Sequence, residues 1–172
     1  DVGCTLLAGY SQSQQGAEAI GFSILARALS LGLFSIGAAL LRERCGDDSF
    51  AAIRGAGSRE AWLVLAIGVG GLSMAGMPGT VGFVSNWVNM RALNSDAELI
   101  VILIASNISV ALGVLHGISA LFDGVHQPAS ILESQARGEQ WTVAIAAMLV
   151  LALGLYPALV SPLVQAIGAG FY

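Results

Sequence analysis

The chain alternates long apolar runs with short polar punctuation. Val2 to Gly9 is apolar but shorter than the about 20 residues a helix needs to cross a bilayer, so it reads as the tail of a truncated helix. Tyr10 to Gly16 is a polar turn, and Ala17 to Leu41 then runs for roughly 37 Å at the helical rise, which predicts a membrane span. Arg42 to Glu60 is hydrophilic and Gly-rich in its middle, with Ser49 to Ile53 predicted as a short surface helix. Ala61 to Met77 and Thr80 to Leu93 are apolar arms on either side of Pro78, each shorter than a standard span. The pattern leaves two alternatives open for them, two tight crossings or one interrupted segment. Asn94 to Glu98 is a turn with helix-start character, and Leu99 to Phe122 is a second full span. After a polar loop from Asp123 to Gln140 containing Pro128, Trp141 to Val160 is a third, opened by an interfacial tryptophan and closed by Tyr156-Pro157. The fold class expected is all-α, a polytopic transmembrane helix bundle forming one domain over residues 1–172, with a broken helix at its centre.

The break lies in Ser73-Met74-Ala75-Gly76-Met77-Pro78-Gly79-Thr80. Proline removes a backbone donor and clashes with the preceding turn, and the glycines relax the chain around it, so Gly76, Pro78 and Gly79 end one helix and let another begin near Thr80, which is placed to cap it. Backbone groups freed at membrane depth must be buried in protein or face a watery cavity. Asn86 lies a turn and a half further on, an amide among Phe83, Val84 and Trp87.

Composition sharpens this picture. Of the 172 residues 56% are hydrophobic and 10% charged, with mean hydropathy +0.78, against about 25% charged in a soluble domain. The seven basic residues are all arginine and the net charge is -4, which argues against nucleic acid as a partner. Cys4 and Cys45 are too few and too far apart for a metal site or a disulfide framework. With no glycine-rich nucleotide loop and little soluble mass, neither a cofactor nor a metal is expected. The chain starts at Asp1 with no basic n-region, so no signal peptide is expected and a piece of a longer polytopic protein is. If both short arms cross, Arg42, Arg44, Arg54, Arg59 and Arg91 share one side against Arg137 on the other, and the positive-inside rule places the Arg42 to Glu60 loop in the cytoplasm.

Ser23, Arg27 and Ser30 recur at four and three residues and share one helix face, with Arg27 too deep to snorkel to water. A guanidinium stays protonated, so Arg27 can hold water or stabilise a neighbouring carboxylate but cannot relay a proton. The alternative is an arginine paired with an acid on another helix for packing alone. Asn86 can hold water or bond to carbonyls freed at the break, and it cannot titrate. His116, on a face with Ser109 and Gly113, is either a proton-exchange group near the end of its span or an interfacial histidine making one backbone hydrogen bond. Glu18 reads as a residue stabilised by its helix N-terminus rather than a channel-mouth acid. Gly68, Gly70, Gly71 and Gly76 with Ser73 thin one arm for close helix packing. Asn107, beside Ser106 in mid-span, is expected to bond to a neighbouring helix.

The order of ARALSLGLFSIGAALLRER, a glycine-patched loop, GLSMAGMPGTVGFVSNW, ALGVLHGISALFDG and LGLYP resembles the C-terminal part of the chain M group in the proton-translocating antiporter-like family of bacterial respiratory complex I, whose wider membership includes chains L and N, Mrp-type antiporters and membrane-bound hydrogenase subunits. The resemblance covers essentially the whole chain, about the last third of such a subunit, with GMPGT its most specific piece. It implies a bundle of about fourteen helices built from inverted repeats whose broken helices flank a hydrated axis, in the bacterial cytoplasmic membrane beside other membrane subunits. It also implies proton translocation coupled to NADH:quinone electron transfer. The family pattern has a buried Glu or Lys where this chain has Asn86, a His where it has Arg27, and in many members a Lys where it has Leu31. These departures keep a second transport reading open, a subunit of a related antiporter, hydrogenase or inorganic-carbon uptake complex, and a third, a non-conducting structural subunit.

Overall fold

Residues 14–45, 61–93, 97–123, 136–156 and 158 are described by the structure, a computed structural model, and among them the regular elements are helices with no strand. We number them α1 (Gln14–Cys45), α2 (Ala61–Met74), α3 (Val81–Ala92), α4 (Ala97–Phe122) and α5 (Ala136–Leu155). The Val2 to Gly9 run, the Ser49 to Ile53 helix, Cys4 and the Pro128 loop lie outside the described residues.

Helix ends differ from the sequence expectation in ways that local chemistry explains. The α1 helix begins at Gln14 rather than Ala17, since Gln14 and Gln15 are good helix formers. Glu18 therefore falls beyond the first turn, where the helix dipole would have stabilised it. The α5 helix starts at Ala136, so the predicted polar loop is helical in its last residues and Trp141 lies inside the helix. It stops at Leu155 rather than Val160, because the residue before Pro157 is disfavoured in helical geometry. Among the described residues three helices are long and apolar enough to cross a membrane by length and composition, within Ile20–Glu43, Ala97–Phe122 and Gly138–Leu155. By contrast α2 and α3, with 14 and 12 residues, reach only about 21 and 18 Å.

Contacts show how the short helices fit among the long ones. Along α1, Leu41 packs with Leu63, Gly37 meets Ala66, Ser30 meets Ser73 and Ser23 meets Ser85, so α2 and then α3 run antiparallel to one neighbour, end to end. The α4 helix returns along the same pair: Leu103 packs with Leu93, Val114 with Gly71, and Leu121 with Leu63 and Ile67. The core where α1, α2, α3 and α5 meet is built from Ala26, Leu33, Ala66, Val81, Val143, Ala147 and Val150. Small residues set the spacing: a Cβ on Gly70 would lie 2.7 Å from the Phe34 backbone nitrogen, and one on Gly71 2.7 Å from Val114 Cγ2.

Candidate functional site

The break between α2 and α3 is built by two consecutive turns. Gly76 is left-handed at φ 72°, its N–H donates to Ser73 O at 3.0 Å, and the Met77 N–H donates to Leu72 O at 3.1 Å, the pair of bonds that defines a Schellman helix stop. Pro78 and Gly79 then occupy the centre of a turn closed by Thr80 N–H to Met77 O at 3.2 Å, and φ 86° at Gly79 with proline before it marks a type II turn. The Leu72, Ser73 and Met77 carbonyls thus accept from backbone donors within the break rather than from Asn86.

Thr80 takes the N-cap position of α3 with extended backbone, but its side chain does not cap the helix. Its Oγ1 instead donates to Met77 O at 2.7 Å, tying the hydroxyl back into the turn. Ser73, at the end of α2, does the capping from outside: its Oγ accepts the Gly82 N–H at 3.3 Å while pairing with Ser30 Oγ at 2.7 Å. Ser73 therefore joins α1, α2 and α3 at one point. On the far side, Gly154 of α5 lies so close to the Gly79 and Thr80 backbone that a Cβ there would overlap it.

Beside this junction is a cavity of about 200 Å³, large enough for several waters. Its polar walls are Arg27 and Ser30 of α1, Ser73 of α2 and Ser85 and Asn86 of α3, and Val110 of α4 also lines it. Three of the residues singled out from sequence, Arg27, Ser30 and Asn86, thus come together from two distant segments. Arg27 is half-buried and is the one charged residue among the described residues of the wall. Asn86 is 7% exposed, and its Nδ2 lies against Gly76, where a Cβ would collide with it.

Ser23 does not reach the cavity but bonds to a residue that does: its Oγ lies 2.9 Å from Ser85 Oγ and accepts from Asn89 Nδ2 at 3.1 Å. Asn89, only 1% exposed, and Ser85 are buried polar residues that sequence reading missed, and Ser73, expected there only to thin the arm for packing, carries hydrogen bonds as well. Their signal was present, since Ser85, Asn86 and Asn89 recur at helical spacing in an apolar arm. His116 is exposed on α4 with Ser109 and Gly113, away from the cavity, and its carbonyl accepts from Ser119 Oγ at 2.8 Å. The Oδ1 of Asn107 is buried with no hydrogen-bond partner among the described residues.

Antiparallel apolar helices, one of them broken beside a polar cavity, define a polytopic membrane protein. The family described as NADH:quinone oxidoreductase/Mrp antiporter, transmembrane, matches residues 1–113, which carry α1, the break and most of α4. The chain belongs to that family. It is 34% identical over 119 residues to NADH-quinone oxidoreductase subunit N 2 of Sorangium cellulosum (strain So ce56), a match that covers 68% of this chain and 22% of that protein. The chain thus spans about a fifth of the length of that relative, which carries the subunit N designation where GMPGT and LGLYP resemble chain M. No solved structure matches it.

Proposed function

We propose that this chain is part of a proton-translocating, antiporter-like subunit in the membrane arm of a complex I type assembly, driven by quinone reduction elsewhere in that assembly. It sits with other membrane subunits in a bacterial cytoplasmic membrane, and the cavity at the break is a hydrated station on its proton path. The observation that carries this reading is the convergence of Arg27, Ser30 and Asn86 on one cavity beside the Gly76 to Thr80 break. Ser30, Ser73, Ser85 and Asn86 hold water, and water carries the proton past Asn86, which has no exchangeable charge of its own. Arg27 supplies a fixed field. At an effective dielectric constant of about 20, a proton about 4 Å from a guanidinium is opposed by roughly 4 kcal/mol, so the station works only with a compensating negative charge nearby.

Since α2 and α3 run end to end along α1, we take them as one discontinuous crossing. The Arg42 to Glu60 loop and the Asp123 to Gln140 segment then share a side, with Arg42, Arg44, Arg54, Arg59 and Arg137 there and Arg91 opposite. That side remains the cytoplasmic one.

A second reading, a subunit that seals and scaffolds without conducting, is favoured by one observation. Among the described residues no Asp, Glu, His or Lys lines the cavity. Quinone-driven proton uptake in vesicles containing the assembled complex separates the two. Under the conducting reading, Asn86→Leu in the full-length subunit dries the cavity and lowers uptake; an assembled variant with wild-type uptake favours the scaffold.

A further inference from the structure

We propose that Asn107 holds a buried water that carries the hydrated space of the cavity one turn further along α4. Its part in proton transfer rests on the reading above; its hydration is tested separately. Leu103, Asn107, Val110 and Val114 recur at four, three and four residues, so they share one face of α4. On that face Leu103 packs with Leu93 beside Met90, Val110 lines the cavity with Asn86, and Val114 lies against Gly71. Asn107 therefore falls on the step between Asn86 and Met90 of α3, about 4.5 Å along the helix axis from Val110.

The Oδ1 of Asn107 is enclosed and accepts no hydrogen bond from any described residue. An amide oxygen left so in an apolar interface is rare and costly, and the interior N–H groups of the neighbouring helices are spent within those helices. Leu103, Val110 and Met90, which flank it, carry no side-chain donor. Water is the smallest donor, and because it also accepts, it serves whichever end of the amide is turned inward. Ser106, half-buried beside Asn107, adds a hydroxyl, and the waters of the cavity complete the several polar contacts a buried water needs.

Thiol reactivity in the assembled complex tests the hydration, because the reactive thiolate forms in contact with water and is suppressed in apolar packing. With Cys4 and Cys45 replaced by serine, single cysteines are introduced as Asn107→Cys, Val110→Cys and Leu103→Cys, and their labelling by methyl methanethiosulfonate is followed by mass spectrometry of the subunit. The expected rate for Asn107→Cys is close to that for Val110→Cys and about tenfold or more above that for Leu103→Cys, which is fully buried one turn away. A rate for Asn107→Cys as slow as for Leu103→Cys overturns the proposal. If Val110→Cys is then fast, the cavity stands as a hydrated station without Asn107; if it is slow too, both readings fall. Quinone-driven proton uptake tests the role, and decides alone where Asn107→Cys does not assemble. Asn107→Leu lowers uptake severalfold in an assembled complex while Asn107→Ser, which can still hold water, retains most of it; wild-type uptake in an assembled Asn107→Leu complex overturns the role.

Discussion

Gly76 and Gly79 both have positive φ, yet their surroundings differ. Around Gly79 an added Cβ meets nothing within 4 Å, so Gly79→Ala is charged only the left-handed strain of about 1–2 kcal/mol. At Gly76 the same strain is joined by a collision with Asn86 Nδ2, and overpacking typically adds about 1–3 kcal/mol. Thermal unfolding of the purified complex should therefore rank Gly76→Ala as the more damaging of the two. Asn86→Ala in the same chain should recover part of the Gly76→Ala loss, because it removes the colliding amide. The two glycines and the proline were legible in the sequence because left-handed turns demand those residue types. The partner of Gly76 was not legible, since contact with Asn86 depends on how α3 leaves the turn.

Among elements, the serine at the end of α2 decides how firmly the break is held. Ser73→Ala strands the buried Gly82 N–H and frees Ser30, at a cost of about 1–3 kcal/mol for an unsatisfied donor. Ser30→Ala removes one hydroxyl pair only, which within membranes is worth about 0.6 kcal/mol. Stability of the two variants in detergent should differ in that order, and equal losses would remove Ser73 from its capping role. Gly154 makes a second element-scale test: Gly154→Leu drives a side chain into the Thr80 backbone, pushes α5 from the break and lowers the yield of assembled complex. The long helices could be read from apolar run length alone. Their ends could not, because Gln14 and Ala136 begin helices in polar residues that carry no hydropathy signal. Thr80 had the residue type of a cap, but the Gly82 N–H goes to Ser73 Oγ while the Thr80 hydroxyl donates back to Met77 O, an arrangement fixed by tertiary geometry.

In the molecule as a whole, family membership was readable from the order of its motifs, whereas the cavity was not. Arg27 and Asn86 were each conspicuous as polar groups in apolar runs, and their convergence follows only from α3 continuing α2 along the same face of α1. His116 was equally conspicuous and lies elsewhere, on the outward face of α4. Residue type marks a candidate, and packing decides whether candidates meet. On this reading Arg27 holds the water and the compensating negative charge of a proton station at the break, and Arg27→Ala removes both. Quinone-driven proton uptake by vesicles containing the complex with Arg27→Ala tests it most directly, with assembly followed on the same sample. The expected result is an assembled complex whose uptake falls well below wild type; wild-type uptake in a fully assembled Arg27→Ala complex would contradict this role of Arg27.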